Sequence, residues 1–210
     1  MIDQQKQLIP FHGYPIFKIK TGELLNEDEL NFFKSLTTES HFFQDLTKTK
    51  LTKDDNILNN IELKRIKDLI LKNFFDYVDD VLEVENQFYM CNSWGTIQKK
   101  DDYHPNHTHK NAIFSSVFYI HAENSSLTFS FDKSRIEEGF FFAYHIKNYN
   151  HFNSSSWEVP VETGDLIIFP GELEHVSKIH TGNYDRLIIG SSYFLKGDLG
   201  SDSNYNSISI

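Results

Sequence analysis

The sequence is short of cysteine and lacks long apolar runs. Its 210 residues contain one cysteine, Cys91, which excludes an intramolecular disulfide and favours a reducing compartment. No apolar run reaches the length of a bilayer, and no basic and apolar leader opens the sequence, so neither a membrane span nor a signal peptide is predicted. We therefore expect a cytoplasmic protein.

Several motifs that would assign other functions are missing. Neither GxGxxG nor GxxxxGK[ST] occurs, which argues against folds that hold nucleotide phosphates in glycine-rich loops. The absence of CxxC excludes a zinc site built from thiolates. Without GxSxG there is no nucleophile elbow to support a Ser-His-Asp triad.

Basic residues are outnumbered by acidic ones. The chain has 20 Lys and Arg against 30 Asp and Glu, a formal net charge of −10. Binding to nucleic acid depends on Lys and Arg neutralising phosphates, so this class of partner is disfavoured. We expect a small-molecule or peptide substrate, and we keep a homodimer as a hypothesis for the assembly.

The N-terminal part of the chain predicts an edge strand and two helices. The strand lies at the end of residues 1–20, in YPIFKIK. Asn26 and Glu29 form a capping box for a helix from about Glu27 to Leu36. Residues 47–55, TKTKLTKDD, are interpreted as a polar loop. A second helix, predicted from about Ile57 to Leu82, carries one apolar stripe, so residues 24–83 are interpreted as helical support for a sheet.

From Asn86 onward, short β-rich runs alternate with turn residues, a texture typical of an antiparallel sandwich or barrel. Strands are predicted near 87–98, 113–121, 126–132, 157–161, 165–169, 175–180 and 185–194. This count fits a double-stranded β-helix, the jelly roll of cupins. The predicted fold class is therefore mainly β, a jelly roll buttressed by two α-helices.

The predicted boundaries give one domain over residues 1–196, with the jelly-roll core in 86–196. Residues 133–156 form a long aromatic insertion, interpreted either as a lid or substrate wall or as an extra hairpin. The polar residues 197–210 are predicted to be a mobile tail.

Three histidines and one arginine are candidates for the chemistry. His107 and His109 are one residue apart before a β-rich run, and if they open a strand their side chains point to one face. Neutral imidazole is a good ligand for iron, zinc and copper. His175 follows the buried run DLIIFP, and Arg186 begins the apolar run RLIIGSSYF. A guanidinium in an apolar strand is costly unless it meets an anion such as a carboxylate.

The order of these motifs resembles the iron(II) and 2-oxoglutarate-dependent oxygenases, and most closely a branch common in phages and marine bacteria. That branch carries His-x-His-Pro-Asn-Ser, then Leu-Ser-Gly-Val-Tyr-Tyr, then Phe-Pro-Ser…Leu-x-His and an arginine. The matching residues here are His107, His109, Asn111, Phe114, Ser115, Val117, Phe118, Tyr119, Phe169, Pro170, Leu173, His175 and Arg186. The resemblance covers the C-terminal half of the chain.

The resemblance implies an oxygenase that hydroxylates a C–H bond and releases succinate and CO₂. It implies His107, His109 and His175 as catalytic ligands of Fe(II), and Arg186 as the partner of the C5-carboxylate of 2-oxoglutarate. We name Asn92, Ser115 and Tyr119 as further cosubstrate-binding candidates and Trp94 and His104 as substrate-pocket candidates. Ordinary strand packing is the alternative role for Asn92, Trp94, Ser115 and Tyr119.

The chain departs from the family pattern at several positions. The superfamily usually has an acidic residue where His109 stands, and Lys110, Ala112, Ser116 and Ile188 also differ from the expected types. His104, Asp101, Asp102 or Glu172 could complete the metal site in place of His109. Three imidazoles would instead resemble cupin dioxygenases that use no 2-oxoacid. A jelly-roll binding module without catalysis is the third hypothesis.

Overall fold

The computed structural model describes residues 13–36, 38–40, 47–130, 145–150, 153–200 and 207–210. Its helices are α1, Glu27–Ser35, and α2, Lys64–Tyr77. The strands are β1 Phe17–Lys20, β2 Thr38–Ser40, β3 Lys50–Thr52, β4 Gln87–Gln98, β5 His104–His107, β6 Phe114–His121, β7 Ser125–Ser130, β8 Ser156–Val161, β9 Asp165–Pro170, β10 Glu174–Ser177, β11 Arg186–Lys196, β12 Asp198–Leu199 and β13 Ile208–Ser209.

Two antiparallel sheets form the body of the fold. The larger sheet has the strand order β1-β9-β6-β11-β4-β3-β2, and the smaller has β5-β10-β7-β8. Neighbouring strands are distant in the sequence, for example β11 between β6 and β4. This order confirms the prediction of a mainly β double-stranded β-helix with two supporting helices.

The larger sheet is buried on both faces because its strands alternate between two apolar cores. On one face, α2 packs through Ile66, Ile70 and Phe74 against side chains of the sheet, and the Phe74 ring stacks on Tyr193 with centroids 3.7 Å apart. On the other face, Val117, Ile167, Phe169 and other residues pack against the smaller sheet. The helices thus hold one face of the sheet while the other face remains available to line a site.

The capping box at α1 is present as predicted. Asn26 Oδ1 accepts a hydrogen bond from the Glu29 backbone N–H at 2.9 Å, and Glu29 Oε2 accepts one from the Asn26 N–H at 2.8 Å. Arg65, at the start of α2, donates to both Glu29 oxygens, Nε to Oε1 at 2.9 Å and Nη2 to Oε2 at 2.7 Å. The buried Glu29 therefore joins the two helices, and Arg65 lowers the pKa of its carboxyl.

We expect Glu29→Gln to reduce the free energy of unfolding at pH 7 by about 1 kcal/mol, because it weakens charge-assisted bonds to a half-exposed guanidinium. The carboxyl has a lowered pKa when folded, so its contribution is present above the unfolded value and is lost as the pH falls through the folded value. Urea unfolding at neutral and acidic pH measures this. Glu27→Gln, an exposed change in the same turn, is the control; an equal effect of both changes would contradict the prediction.

Two local predictions need correction. The second helix does not run unbroken from Ile57 to Leu82, because two 3₁₀ turns, Ile57–Asn59 and Ile61–Leu63, precede α2 and a π-helical turn, Val78–Leu82, follows it. The loop predicted at residues 47–55 contains β3, with its threonines turned inward. In the tail, residues 197–210, β12 pairs with β13, and the predicted mobility of this segment stays a prediction.

The long insertion falls largely outside the described residues. The prediction of a lid or a hairpin at 133–156 concerns residues that lie mostly outside the described part, because 131–144 and 151–152 are not described. Residues 201–206 of the tail are likewise outside the described part. Among the described helices, none has the length and apolar character needed to cross a membrane.

Candidate active site

Three histidines meet at one end of the cleft between the two sheets. His107 ends β5 and His175 lies in β10, and the two residues are direct antiparallel partners. Side chains of such partners stand beside each other on one face of a sheet. His109 lies in the turn after β5, where its backbone N–H donates to the Gly171 carbonyl at 2.9 Å.

The predicted reason for this convergence was wrong. His107 and His109 do not share a strand, since β5 ends at His107 and β6 begins only at Phe114. Instead, the turn that carries His109 is held against Gly171, where an added Cβ would lie 2.5 Å from the Ala112 carbonyl oxygen. The Phe-Pro-Gly turn after β9 therefore positions His109.

The ring nitrogens of these histidines form a compact donor set. One nitrogen from each of His107, His109 and His175 lies within 4.8 Å of the others. His107 Nε2 and His109 Nε2 are 3.2 Å apart, and neither has a carboxylate as its hydrogen-bond partner among the described residues. Three imidazole nitrogens at such separations suit a divalent transition metal ion.

Hydrogen bonds at Nδ1 orient each ring. His107 Nδ1 is 2.9 Å from the Pro105 carbonyl oxygen, and His175 Nδ1 is 2.9 Å from the Leu173 carbonyl oxygen. Because a carbonyl only accepts, both rings must carry the proton on Nδ1, which leaves the Nε2 lone pair free for a metal. His109 Nδ1 is 2.5 Å from the Ser115 hydroxyl, which can accept the same proton.

Burial keeps these imidazoles neutral. It lowers the pKa of His107, and together with the neighbouring histidines it lowers the pKa of His109 well below the usual range. Burial, with His107 beside it, lowers the pKa of His175 to about 3. Neutral rings have the lone pairs that a metal needs, so the donor set is ready for a cation at neutral pH.

A buried cation, the guanidinium of Arg186, lines the same cavity. The Arg186 side chain is 2 % exposed, and its Nε donates to Gln98 Oε1 at 2.7 Å while Nη2 donates to the Lys178 carbonyl at 3.1 Å. No ion pair joins it to a carboxylate in the part of the chain that the structure describes. A buried guanidinium without a counter-ion is costly, so this end of the cavity suits a carboxylate.

The cavity contains most of the residues predicted to surround the site. Tyr119, Trp94 and His104 all line it. Tyr119 is fully buried, and this raises the pKa of its hydroxyl above the usual range. The Trp94 indole packs over Gly190, where a Cβ would come within 2.4 Å, and meets the His109 ring edge to face at 5.3 Å. A bulkier residue at position 190 would therefore displace the Trp94 indole from its place in the cavity lining.

Two predicted cosubstrate-binding residues are placed differently. Asn92 lies on β4 but does not line the cavity, which begins at Trp94 on that strand. Ser115 is buried behind His109 and contacts that ring instead. The alternative ligands Asp101, Asp102 and Glu172 do not join the donor set: Asp102 accepts hydrogen bonds from Thr47 and Thr49, and Glu172 is exposed.

Several cavity residues escaped the sequence-based prediction. Thr96 and Gln98 continue the inward face of β4 beyond Trp94, and Ser177 and Ile188 come from β10 and β11. The sequence could have indicated Thr96 and Gln98, because side chains of a strand point alternately to its two faces and residues two apart share a face with Trp94. For Ser177 no local pattern existed, since its place depends on the pairing of β10 with β5.

Comparison with known proteins gives one family and a shared fold. Residues 92–191 match the family described as "Putative 2OG-Fe(II) oxygenase". No curated protein matches the sequence. Among solved structures, HygX from Streptomyces hygroscopicus with nickel and 2-oxoglutarate is 15% identical, with a TM-score of 0.57, over 85% of this chain and 82% of HygX.

Two further structures share the fold. A prolyl-4-hydroxylase from Pseudomonas putida is 11% identical, with a TM-score of 0.55, over 88% of this chain and 94% of its own. SnoK, a non-heme alpha ketoglutarate dependent carbocyclase from nogalamycin biosynthesis, is 12% identical, with a TM-score of 0.59, over 90% of this chain and 84% of its own. At these identities the likeness establishes the fold, and the residues of the cavity must carry the chemistry.

Proposed function

We propose that this chain, whose residues 92–191 match the family described as "Putative 2OG-Fe(II) oxygenase", hydroxylates a C–H bond of a small molecule or peptide with 2-oxoglutarate as cosubstrate. The observation that carries the proposal is the pairing, in one cavity, of three neutral imidazoles with a buried guanidinium that forms no direct ion pair with a carboxylate among the described residues. A divalent metal fits the first group and a carboxylate fits the second.

In this proposal, His107, His109 and His175 hold Fe(II). The bound metal and 2-oxoglutarate supply the activation of O₂, with succinate and CO₂ as coproducts. The protein fixes the rings in advance, because Pro105 and Leu173 carbonyls accept from Nδ1 and direct Nε2 of His107 and His175 toward a common point. Ser115 does the same for His109 through its hydroxyl.

Arg186 binds the distal carboxylate of 2-oxoglutarate. Its fork presents parallel N–H donors, which suits a carboxylate better than a single ammonium would. Tyr119 lines the cavity near this guanidinium, and its buried, protonated hydroxyl can donate to the same carboxylate. A dicarboxylate that reaches from the metal to Arg186 would thereby relieve the cost of the buried positive charge.

The apolar walls exclude water from this space. Val117, Leu127, Ile188 and Trp94 line the cavity together with the three histidines and Arg186. Low polarity around a buried charge strengthens its attraction for an anion. These walls therefore raise the affinity of Arg186 for a carboxylate and limit side reactions with solvent.

The substrate class, location and assembly are also proposals. HygX has been solved with nickel, 2-oxoglutarate and hygromycin B bound, which supports a small molecule as substrate of this fold. We propose a cytoplasmic location from the single cysteine and membership of the phage and marine-bacterial branch from the motif order. A homodimer remains a hypothesis.

The test is oxidation of 2-oxoglutarate by the purified protein. After anaerobic loading with Fe(II), admission of O₂ should give succinate that depends on both the metal and 2-oxoglutarate, even without the natural substrate. Titration of 2-oxoglutarate by calorimetry reports binding separately. A protein that binds Fe(II) but neither binds 2-oxoglutarate nor forms succinate would overturn the proposal.

A second candidate function follows from the donor set itself. The three histidines include no carboxylate, so a bound Fe(II) would keep its full charge, as in dioxygenases that act on a chelating substrate without a 2-oxoacid. The two functions differ in their need for Arg186. Consumption of O₂ with a chelating substrate in the absence of 2-oxoglutarate would favour this second function.

A further inference from the structure

A directional hydrogen-bond chain lies behind Arg186. Arginine has no acceptor, so the group at 2.7 Å from its Nε must be the oxygen of the Gln98 amide. The amide nitrogen of Gln98 then donates to Thr49 Oγ1 at 3.1 Å. The Thr49 hydroxyl, which accepts this bond, lies within hydrogen-bond distance of two acceptors for its own proton, Asp102 Oδ2 at 2.9 Å and the Tyr103 carbonyl oxygen at 2.8 Å.

The hydrogen-bond chain ends near the carboxylate of Asp102, which is itself fixed by further hydrogen bonds. Asp102 Oδ1 accepts from Thr47 Oγ1 at 2.6 Å and from the Lys48 backbone N–H at 2.9 Å. Asp102 is 5 % exposed, so its charge acts through the protein interior. Burial lowers the pKa of Arg186, and the negative charge of Asp102 raises it in part. The hydrogen bonds from Arg186 to Gln98 and from Gln98 to Thr49 therefore connect the cation at the cavity with the neighbourhood of the Asp102 carboxylate on the far side of Gln98.

The neutral amide between these charges has a consequence for ligand binding. A carboxylate placed directly against Arg186 would neutralise the guanidinium and occupy its donors. Gln98 instead accepts one bond at Nε and separates the guanidinium from Asp102 by an amide and a hydroxyl. The attraction of Asp102 stabilises the buried cation at a distance, while the cation keeps its charge for an incoming anion.

We propose that Gln98 is a positioning residue for the distal carboxylate of 2-oxoglutarate. It holds the Arg186 fork in place and keeps that guanidinium free of a protein counter-ion. Ser177, which lines the same cavity, donates a second hydrogen bond to Gln98 Oε1 at 3.3 Å and so helps to fix the amide orientation. This inference rests on the function proposed above, and it assigns to β4 a part in binding the cosubstrate.

The decisive variant is Gln98→Glu, which keeps the shape of the side chain and places a carboxylate against Arg186. We expect the dissociation constant of 2-oxoglutarate, measured by calorimetry on the Fe(II)-loaded protein under anaerobic conditions, to rise about tenfold to a hundredfold. The KM for 2-oxoglutarate should rise in parallel, while kcat at saturation stays within about twofold, because Gln98 does not contact the metal ligands.

The melting temperature separates this role from ordinary packing. Since the introduced carboxylate would pair with Arg186, the unliganded Gln98→Glu protein should melt at or above the wild-type temperature even though it binds 2-oxoglutarate more weakly. Gln98→Leu removes the acceptor without adding a charge, and it should also weaken 2-oxoglutarate binding while Fe(II) binding is unchanged. If Gln98→Glu fails to fold, the 2-oxoglutarate dissociation constant of Gln98→Leu is the test: a raised value supports the positioning role, and a wild-type value overturns it.

The outcomes also separate this inference from the proposed function. Wild-type protein that binds no 2-oxoglutarate overturns the function, and with it the premise of the inference. Wild-type protein that binds 2-oxoglutarate, together with Gln98 variants whose dissociation constants lie within about twofold of it, overturns the positioning role alone. Loss of stability without a change in affinity would assign Gln98 to strand packing and would equally contradict the inference.

Discussion

His175→Ala should abolish stable Fe(II) binding and succinate formation together. His175 contributes one of three imidazole nitrogens to the donor set, and it is the most deeply buried of the three. Changes at groups that only orient a metal ligand cost about tenfold to a hundredfold in affinity, so loss of a ligand itself should cost at least about a hundredfold. Metal retained after gel filtration, with succinate yield under O₂, measures the effect.

The matched control is His145→Ala, which removes an exposed histidine outside the donor set. It should bind Fe(II) and form succinate as the wild type does. A His175→Ala protein that keeps the metal at wild-type affinity would show that the three histidines do not form the metal site. Removal of the metal from wild-type protein with a chelator should reproduce the loss of succinate, and added Fe(II) should restore it.

Arg186→Met should leave the protein folded but unable to bind 2-oxoglutarate well. Truncation of one member of a buried charge pair costs about 2 to 5 kcal/mol of binding, which corresponds to a rise in the dissociation constant of at least about thirtyfold. The unliganded protein should melt near the wild-type temperature, because Met has a similar volume and removes a buried charge that lacks a direct counter-ion among the described residues.

A contrasting variant is Lys18→Met, which breaks an ion pair away from the cavity. Lys18 Nζ lies 3.0 Å from the buried Asp165 carboxylate and joins β1 to β9. Its loss should lower the melting temperature but leave 2-oxoglutarate binding intact, the reverse of the pattern expected for Arg186→Met. If Arg186→Met bound 2-oxoglutarate and formed succinate as the wild type does, the assignment of Arg186 to the distal carboxylate would be wrong.

The histidine pair converges for a different local reason from the one that the sequence predicted. Spacing alone placed His107 and His109 on one strand, and the structure places one at a strand end and the other in a turn. The rings still converge, because Gly171 and the antiparallel pairing of β5 with β10 bring the turn and both strands together. Contacts between distant segments therefore bring together the two rings that the His-x-His motif predicted to converge.

Gln98 illustrates the opposite case. It lies on a strand whose predicted bounds, 87–98, match β4, yet nothing in the sequence near it indicated a partner. Its hydrogen bonds are to Arg186 in the neighbouring strand and to Thr49 in a segment that had been interpreted as a loop. These contacts form only when three separate segments fold beside one another. The residues near Gln98 in the sequence therefore do not predict them.

The amino-acid sequence alone determined the fold class, the capped first helix, most strands of the core and the histidines and arginine of the cavity. These follow from the alternation of apolar and polar residues, from capping residues and from the order of short motifs, all of which can be read along the sequence. Only the tertiary structure decided that Ser115 supports His109, that Asn92 lies outside the cavity and that Gln98 stands between Arg186 and Asp102. The physical reason is that strand pairing and side-chain hydrogen bonds join residues far apart in the chain, and only the folded protein specifies which of them meet.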